Sequence, residues 1–472
     1  MANNEFGDFQ TNPRLAATVV SLLGNLTGKP ATVVEPTCGK GSLVRAALDA
    51  FPQATVHGLE INSDHISHLE KQFQFCPKFV LHRADYFQFG WADLVPRMAK
   101  PVWVIGNPPW VTNSHLMKID SANLPKKSPQ ANLTGFEAQT GKSNFDISES
   151  MIRDWFNWCA SCNGSLAVIC KTSVARKLMQ WWWKSDHSSP QARLYVIDAK
   201  AEFDVSVAAC ILVCSFDGIF RNRACAIFAS PEASEPASYF GLIDGHLVSD
   251  ADQYRRGRSL IGKARPQWRS GLKHDAGAVL ELRRSNGALK NKGGEVVMLE
   301  PEFVYPLIKG SDLVRQNPMA AERFVIVPQR FVGDDVGRIK TAAPKTWQYL
   351  TDHRTTFAAR KSVIYKKGGD FGIFGIGEYS FSPWKIAIAA LYKHLNFRLI
   401  GPVAGRPVMF DDTVYFIGFD TEEAARRVLQ KLESKSARSF LTSMIFWDDM
   451  RPIKTEILNR LNLTSSDMRE AA

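Results

Sequence analysis

Apolar and polar positions between residues 31 and 110 follow two periods in turn. The runs at 31–35, 55–60, 79–82 and 102–105 are short, apolar and β-rich, and read as strands. Segments 42–50 and 63–73 repeat their apolar positions at helical spacing, with Ser63 placed as the N-cap of the second. Strands separated by such helices predict βαβ units and a parallel sheet. Ligands in sheets of this kind lie at the carboxyl ends of the strands.

The rhythm breaks at 112–143, a stretch rich in Asn, Lys, Ser, Gln and Pro that reads as a long functional loop. It resumes with a helix over 146–160, a strand over 165–170, a helix over 176–183 and strands over 194–197 and 208–216. The alternation fades near residue 230. Pro231, Pro236 and several Ser and Asp residues then suggest a linker. The expected organisation is a first domain at 1–235, a linker at 236–260 and a second domain at 261–472. Short strands such as 324–328 and 371–381, a helix at 421–432 and an amphipathic tail to Leu461 give the second domain α+β character. The chain shows no internal repeat.

Composition narrows the class. The 472 residues carry 58 Lys and Arg against 47 Asp and Glu, a net charge of +11. Residues 1–230 hold 22 basic and 19 acidic side chains, and 231–472 hold 36 and 28, so the excess lies in the second half. Between 253 and 292, 11 basic residues face only Asp275 and Glu281. That concentration points to a polyanion, with nucleic acid first. No apolar run approaches the ~20 residues of a membrane span. The first ten residues lack the pattern of a secretory signal. Eight cysteines, all between Cys38 and Cys225, are too sparse for a disulfide scaffold. The expected setting is cytoplasmic and reducing.

Candidate chemistry gathers at the strand ends. Glu35-Pro36-Thr37-Cys38-Gly39-Lys40-Gly41 follows the first strand and precedes a helix. Its glycines permit a tight turn and a close backbone approach to a ligand. The spacing matches neither the dinucleotide fingerprint nor a Walker loop. An acidic start suits a ligand with an ammonium group, such as the amino-acid end of S-adenosylmethionine. Glu60 ends the second strand, where a carboxylate accepts hydrogen bonds from ribose hydroxyls. Asp85 ends the third, where an acceptor meets an adenine amine.

Asn107-Pro108-Pro109-Trp110 closes the fourth strand. An exocyclic amine on a base is a poor nucleophile, because its lone pair is delocalised into the ring. Two acceptors holding its hydrogens let the nitrogen pyramidalise. The Asn107 side-chain oxygen and the Pro108 carbonyl are such acceptors, and the prolines fix the corner. Trp110 offers a face on which a base can stack. Catalysis of this kind is positional and electrostatic.

With these motifs in place, residues 31–110 resemble a class I S-adenosylmethionine-dependent methyltransferase bearing the Asn-Pro-Pro-aromatic motif. The motif order resembles that of DNA adenine-N6 methyltransferases of restriction–modification systems. The resemblance implies a Rossmann-like α/β methyltransferase domain followed by an α+β target-recognition domain. It implies a segment like Gly7-Asp8-Phe9-Gln10-Thr11-Asn12-Pro13 over the methionine part of the cofactor, although the family usually reads Thr-Pro where Asn12 intervenes. It places Phe203 against the flipped base, and Trp110 where Tyr or Phe is commoner. Asn144-Phe145-Asp146 resembles the segment that opens the helix beside the cofactor. The expected cofactor set is Thr11, Glu35, Cys38, Gly39, Gly41, Glu60, Ile61, Asp85, Tyr86 and Asn107. The expected catalytic set is Asn107, Pro108, Trp110 and Phe203, with no metal.

Residues 304–312, 374–381 and 411–413 resemble parts of the target-recognition region. Gly375 and Gly377 are candidates for close approach to DNA. Candidates for phosphate contact are Arg255, Arg256, Arg258, Lys263, Arg265, Arg269, Lys366 and Lys367, joined by Lys126 and Lys127 in the long loop. The expected partner is double-stranded DNA, held between the domains by a monomer, with a separate cognate restriction endonuclease. RNA, a protein glutamine and the N4 amine of cytosine are the alternative acceptors. A DNA-binding subunit with an inactive methyltransferase fold is the non-enzymatic alternative. Cys159-Ala160-Ser161-Cys162 has zinc-like spacing but no second ligand pair, and reads as helix packing. At least two of Trp181, Trp182 and Trp183 are expected in the core.

Overall fold

A computed structural model describes residues 9–110, 147–185, 187–220, 222–318, 322–367 and 369–463. The chain forms two compact units, Met1–Ala251 and Asp252–Ala472.

The first unit is built on a ten-stranded sheet. Its first strands and helices are α1 (Pro13–Thr27), β1 (Thr32–Glu35), α2 (Ser42–Ala50), β2 (Thr55–Glu60), α3 (Ser63–Phe73), β3 (Phe79–Arg83), α4 (Trp91–Leu94) and β4 (Val102–Gly106). They are followed by α5 (Ile147–Cys162), β5 (Ser165–Lys171), α6 (Thr172–Lys184), β6 (Ser189–Ile197), α7 (Ala199–Phe203) and β7 (Ala209–Phe220). Strands β8 (Ala224–Phe228), β9 (Ser238–Ile243) and β10 (His246–Val248) complete it.

The strand order is β10-β9-β8-β6-β7-β5-β4-β1-β2-β3. Strands β3, β2, β1, β4 and β5 run parallel, and β7 enters antiparallel between β5 and β6. Strands β1 and β4 are buried at every position, as sheets covered on both faces require. The carboxyl ends of β1, β2, β3 and β4 therefore lie side by side and bring the expected site residues to one edge.

Helix α1 covers one face with Leu15, Ala16, Val19, Val20, Leu22 and Leu23. Each large side chain buried there contributes about 1.5–3 kcal/mol relative to exposure. Asn12 starts the helix, its side-chain oxygen accepting from Leu15 N at 2.9 Å, and Pro13 fits the first turn. Helix α5 buries Trp155 and Phe156 together with Cys159 and Cys162. Trp182 and Trp183 of α6 are buried as well. Among the described residues no group of His, Cys, Asp and Glu has the makings of a metal site. No described helix is long and apolar enough to cross a membrane.

Residues 236–260, expected as a linker, contain β9, β10 and the start of the second unit. Strand β8 pairs with β6 and β9, so the sheet continues past residue 235. The Pro and Ser residues that suggested a linker sit in the β8–β9 connection, outside the ladder.

The second unit holds two sheets. One has the order β11 (Arg269–Ser270), β19 (Val414–Phe419), β16 (Trp384–Ala389) and β17 (Arg398–Ile400). The other has the order β13 (Ala288–Asn291), β12 (Glu281–Ser285), β15 (Arg323–Ile326), β14 (Val304–Ile308) and β18 (Met409–Phe410). A helix at Glu422–Glu433 begins at Thr421, which caps Ala424 N.

The segment 371–381 is not a strand. Gly375 has φ +70°, and a Cβ there would meet the Gly271 carbonyl, while one on Gly377 would meet the Tyr379 ring. Both glycines are required by internal packing. Gly310 N donates to Thr413 Oγ1 at 2.9 Å, which joins two of the stretches singled out in the sequence.

Candidate active site

Four strand ends and the N-terminus of α1 build the site. β1 delivers Glu35, whose side chain is 3% exposed. Among the described residues, Glu35 Oε2 has no hydrogen-bond partner. Burial pushes its carboxyl well above the usual range, opposed by a hydrogen bond from the backbone at Val44 and reinforced by the nearby Glu60 charge. The following loop turns back on β2. Cys38 N donates to Leu59 O at 2.9 Å, and Gly41 N donates to Cys38 O at 2.7 Å. Gly41 adopts φ +80° at the start of α2, where a Cβ would lie 2.6 Å from Leu69 Cδ2. The Cys38 side chain is buried, and burial raises its thiol.

Glu60 has a structural role at the end of β2. Its Oε2 accepts from Gly39 N at 2.8 Å, and its Oε1 accepts from Ile61 N at 2.9 Å and Asn62 N at 2.8 Å. The carboxylate thus pins the glycine loop to the end of β2, leaving few of its acceptor positions for a ribose. Asp85 similarly accepts from Phe87 N and Gln88 Nε2, each at 2.9 Å. Tyr86 is buried. Its hydroxyl accepts from Trp155 Nε1 at 3.1 Å and lies 3.1 Å from Asp154 Oδ2. Burial first, and then Asp154, raises its phenol. Tyr86 therefore braces α5, and its polar end does not face the glycine loop. Ile61 and Phe87 stand exposed beyond the ends of β2 and β3, two apolar side chains at adjacent strand ends.

Asn107 follows β4. Its Nδ2 donates to Phe9 O at 2.8 Å and lies 3.3 Å from Thr11 Oγ1. Its buried Oδ1 has no partner among the described residues, and neither has Thr37 Oγ1. A cavity of about 30 Å³ is lined by Thr11, Glu35, Thr37, Cys38, Gly39 and Asn107, together with Phe9 and Gln10. Pro108 is buried, and Trp110 is 6% exposed. Lys171 at the end of β5 donates to the Trp110 carbonyl at 3.3 Å. The Trp110 and Phe203 rings meet edge to face at 5.2 Å. Residues 107–110 and 203, far apart in sequence, are thus one corner.

Several members of this site had no separate signal in the chain. Thr37 hides inside the loop motif, and Lys171 is one lysine at the end of a strand. Phe87 was detectable as an aromatic directly after Asp85-Tyr86. Lys126 and Lys127 lie outside the described residues, as do residues 144–146. In the second unit Arg255, Arg256, Arg258, Lys263, Arg265 and Arg269 are all exposed. Arg255 pairs with Asp252 at 2.8 Å, and the Arg269 guanidinium lies 5.2 Å from the Tyr379 ring centroid. Lys366 and Lys367 fall on a 3₁₀ turn at Val363–Lys367, with side chains outside the described set.

The unpartnered oxygens of Glu35 and Thr37, in one cavity, fit the ammonium end of S-adenosylmethionine, and the unpartnered Asn107 Oδ1 lies at the edge of that cavity. Buried polar groups are normally paired, so unpartnered oxygens gathered at one place are where a polar ligand group would be accommodated. Taken with the strand order and the antiparallel β7, they define a class I S-adenosylmethionine-dependent methyltransferase fold, joined here to an additional α+β unit. The Type II methyltransferase M.NspV of Nostoc sp. is 42% identical over 465 residues, which cover 97% of this chain and 96% of the relative. The chain belongs to the family of Type II methyltransferases. No family model matches it. A solved structure of the Type IIL restriction-modification enzyme MmeI in complex with DNA aligns with a TM-score of 0.51 at 12% identity. That alignment covers 90% of this chain, which spans 60% of the MmeI chain, and the likeness is one of fold.

Proposed function

We propose that the chain is the site-specific modification enzyme of a restriction–modification system, transferring a methyl group to the N6 amine of adenine in duplex DNA. The observation that carries this reading is the corner from Asn107 to Trp110. It sets an unpartnered buried acceptor beside an aromatic pair and next to the Glu35 cavity.

Glu35 holds the ammonium of S-adenosylmethionine, and Ile61 and Phe87 flank its adenine. The bound cofactor supplies an electrophilic methyl group on its sulfonium. The target amine is hidden in the duplex, so the base leaves the stack before reaction. Asn107 Oδ1 and the Pro108 carbonyl accept the two amine hydrogens. The nitrogen lone pair then points at the methyl group, and the proton leaves after transfer. Trp110 stacks on the base and Phe203 meets its edge. Lys171 holds the Trp110 carbonyl and keeps the corner in place.

The unit at Asp252–Ala472 serves as the target-recognition domain. Its exposed Arg255, Arg256, Arg258, Lys263, Arg265 and Arg269 contact phosphates. A separate endonuclease recognises the same sequence. The test is transfer of tritium from S-[methyl-³H]adenosylmethionine to duplex DNA, RNA and protein offered in parallel. Label in duplex DNA alone supports the reading, and label confined to RNA or protein refutes it.

A further inference from the structure

Phe9 packs into the aromatic corner where the proposed function seats the base. Its ring centroid lies 5.5 Å from that of Trp110 and 6.0 Å from that of Phe203. Trp110 and Phe203 themselves meet at 5.2 Å. A base stacked on Trp110 requires an open face with a gap of about 3.5 Å. With Phe9 and Phe203 both against its ring, Trp110 is only 6% exposed, so a base stacked there needs Phe9 to move aside.

The residues after Phe9 line the cofactor side and bond to it. Gln10 Oε1 accepts from Lys40 N at 3.1 Å, and a Cβ on Gly39 would lie 3.0 Å from the Gln10 amide. Thr11 lines the Glu35 cavity, which has room for roughly two waters. Asn12 bonds to Glu202, the neighbour of Phe203, and caps α1. Residues 9–12 therefore run across both halves of the site, and consecutive Cα atoms are only about 3.8 Å apart. Gln10 and Thr11 cannot leave the glycine loop while Phe9 stays wedged against Trp110 and Phe203.

We propose that Phe9 is the gate of the acceptor pocket, its ring standing in for the base until residues 9–12 shift together to admit the cofactor. This rests on the function proposed above. The ring makes opening harder for both ligands, and it makes base entry depend on cofactor. Removing the ring uncouples them, while the Asn107 bond to the Phe9 carbonyl survives because it is made by the backbone.

The test compares wild type, Phe9→Ala and Phe9→Trp. Binding of S-adenosylhomocysteine is measured by calorimetry. Base entry is measured as emission of 2-aminopurine placed at the target position, located by mapping wild-type methylation. Phe9→Ala should bind S-adenosylhomocysteine about tenfold more tightly, from the loss of two aromatic contacts. Its 2-aminopurine emission should rise without S-adenosylhomocysteine, whereas wild type and Phe9→Trp should require it. A Phe9→Ala protein with wild-type affinity, or with an emission rise that still needs S-adenosylhomocysteine, overturns the gate and leaves the proposed function standing. A wild-type protein that methylates no duplex DNA removes the proposed function, and with it the base whose place Phe9 holds.

Discussion

Asn107 donates its side-chain amide to the Phe9 carbonyl at 2.8 Å, which fixes the direction of its opposite atom, the unpartnered Oδ1. A bond made by the nitrogen thus orients the oxygen. In this arrangement a neutral side chain is held as an oriented acceptor.

Asn107→Ala should reduce turnover by at least about 10²-fold, the loss typical of one preorganised polar contact at a reacting centre. Binding of duplex DNA and of S-adenosylhomocysteine should stay within about tenfold, since the variant removes one ordinary hydrogen bond. Single-turnover kinetics with parallel binding titrations check both. Near-native turnover would remove Asn107 from the chemistry.

Glu35→Gln should trade binding for stability. Burial raises the Glu35 carboxyl, so the unliganded fold is favoured by protonation, and that contribution disappears as pH rises through the raised value. At neutral pH the neutral amide should therefore raise Tm, by about 2–4 °C for each kcal/mol gained. S-adenosylhomocysteine binding should weaken by about 10–100-fold through loss of a charge-assisted bond. Wild-type affinity should fall as pH drops through the raised Glu35 value, where the protonated carboxyl no longer pairs with an ammonium. The variant should lack that pH dependence. Calorimetry at several pH values reads all three effects.

Replacing Arg255, Arg256 and Arg258 together with alanine should weaken DNA binding and flatten its salt dependence. Each lost phosphate contact lowers the slope of log K against log salt by about 0.9. Arg255 already shares a charge with Asp252, so its part should be the smallest. An unchanged slope would clear these residues of phosphate contact.

Gly375→Ala should destabilise the second unit by about 2 kcal/mol or more. The residue has φ +70°, and the new Cβ would face the backbone of Gly271, which has no side-chain freedom with which to yield. Scanning calorimetry should show the loss, with S-adenosylhomocysteine binding in the first unit unchanged.

The core of the methyltransferase unit was legible because its signals agree across levels. For α2, β2 and α3, apolar period and glycine turn mark the observed boundaries, although Asn62 rather than the expected Ser63 caps α3, its side-chain oxygen accepting from Asp64 N and His65 N. Helix α1 was read only as the motif around Thr11, although Asn12-Pro13 and the apolar spacing after it announce a helix. Residues 371–381 alternate aromatic and small side chains like a strand. Their conformation is set instead by close backbone packing against Gly271, which no local pattern encodes. The site was legible as a set of strand ends but not as an arrangement. Glu60 turns onto the Gly39 loop and Tyr86 braces α5 because of contacts between distant segments. Phe9 lies inside a recognised motif, but its contacts with Trp110 and Phe203 appear only in the folded chain.

The identity of the methylated atom separates N6 of adenine from every other acceptor. Duplex DNA treated with the protein and S-[methyl-²H₃]adenosylmethionine can be digested to nucleosides and resolved by mass spectrometry. The expected result is deuterated N6-methyldeoxyadenosine with wild type and none with Asn107→Ala. Deuterium in N4-methyldeoxycytidine, or in no nucleoside of duplex DNA, would contradict it.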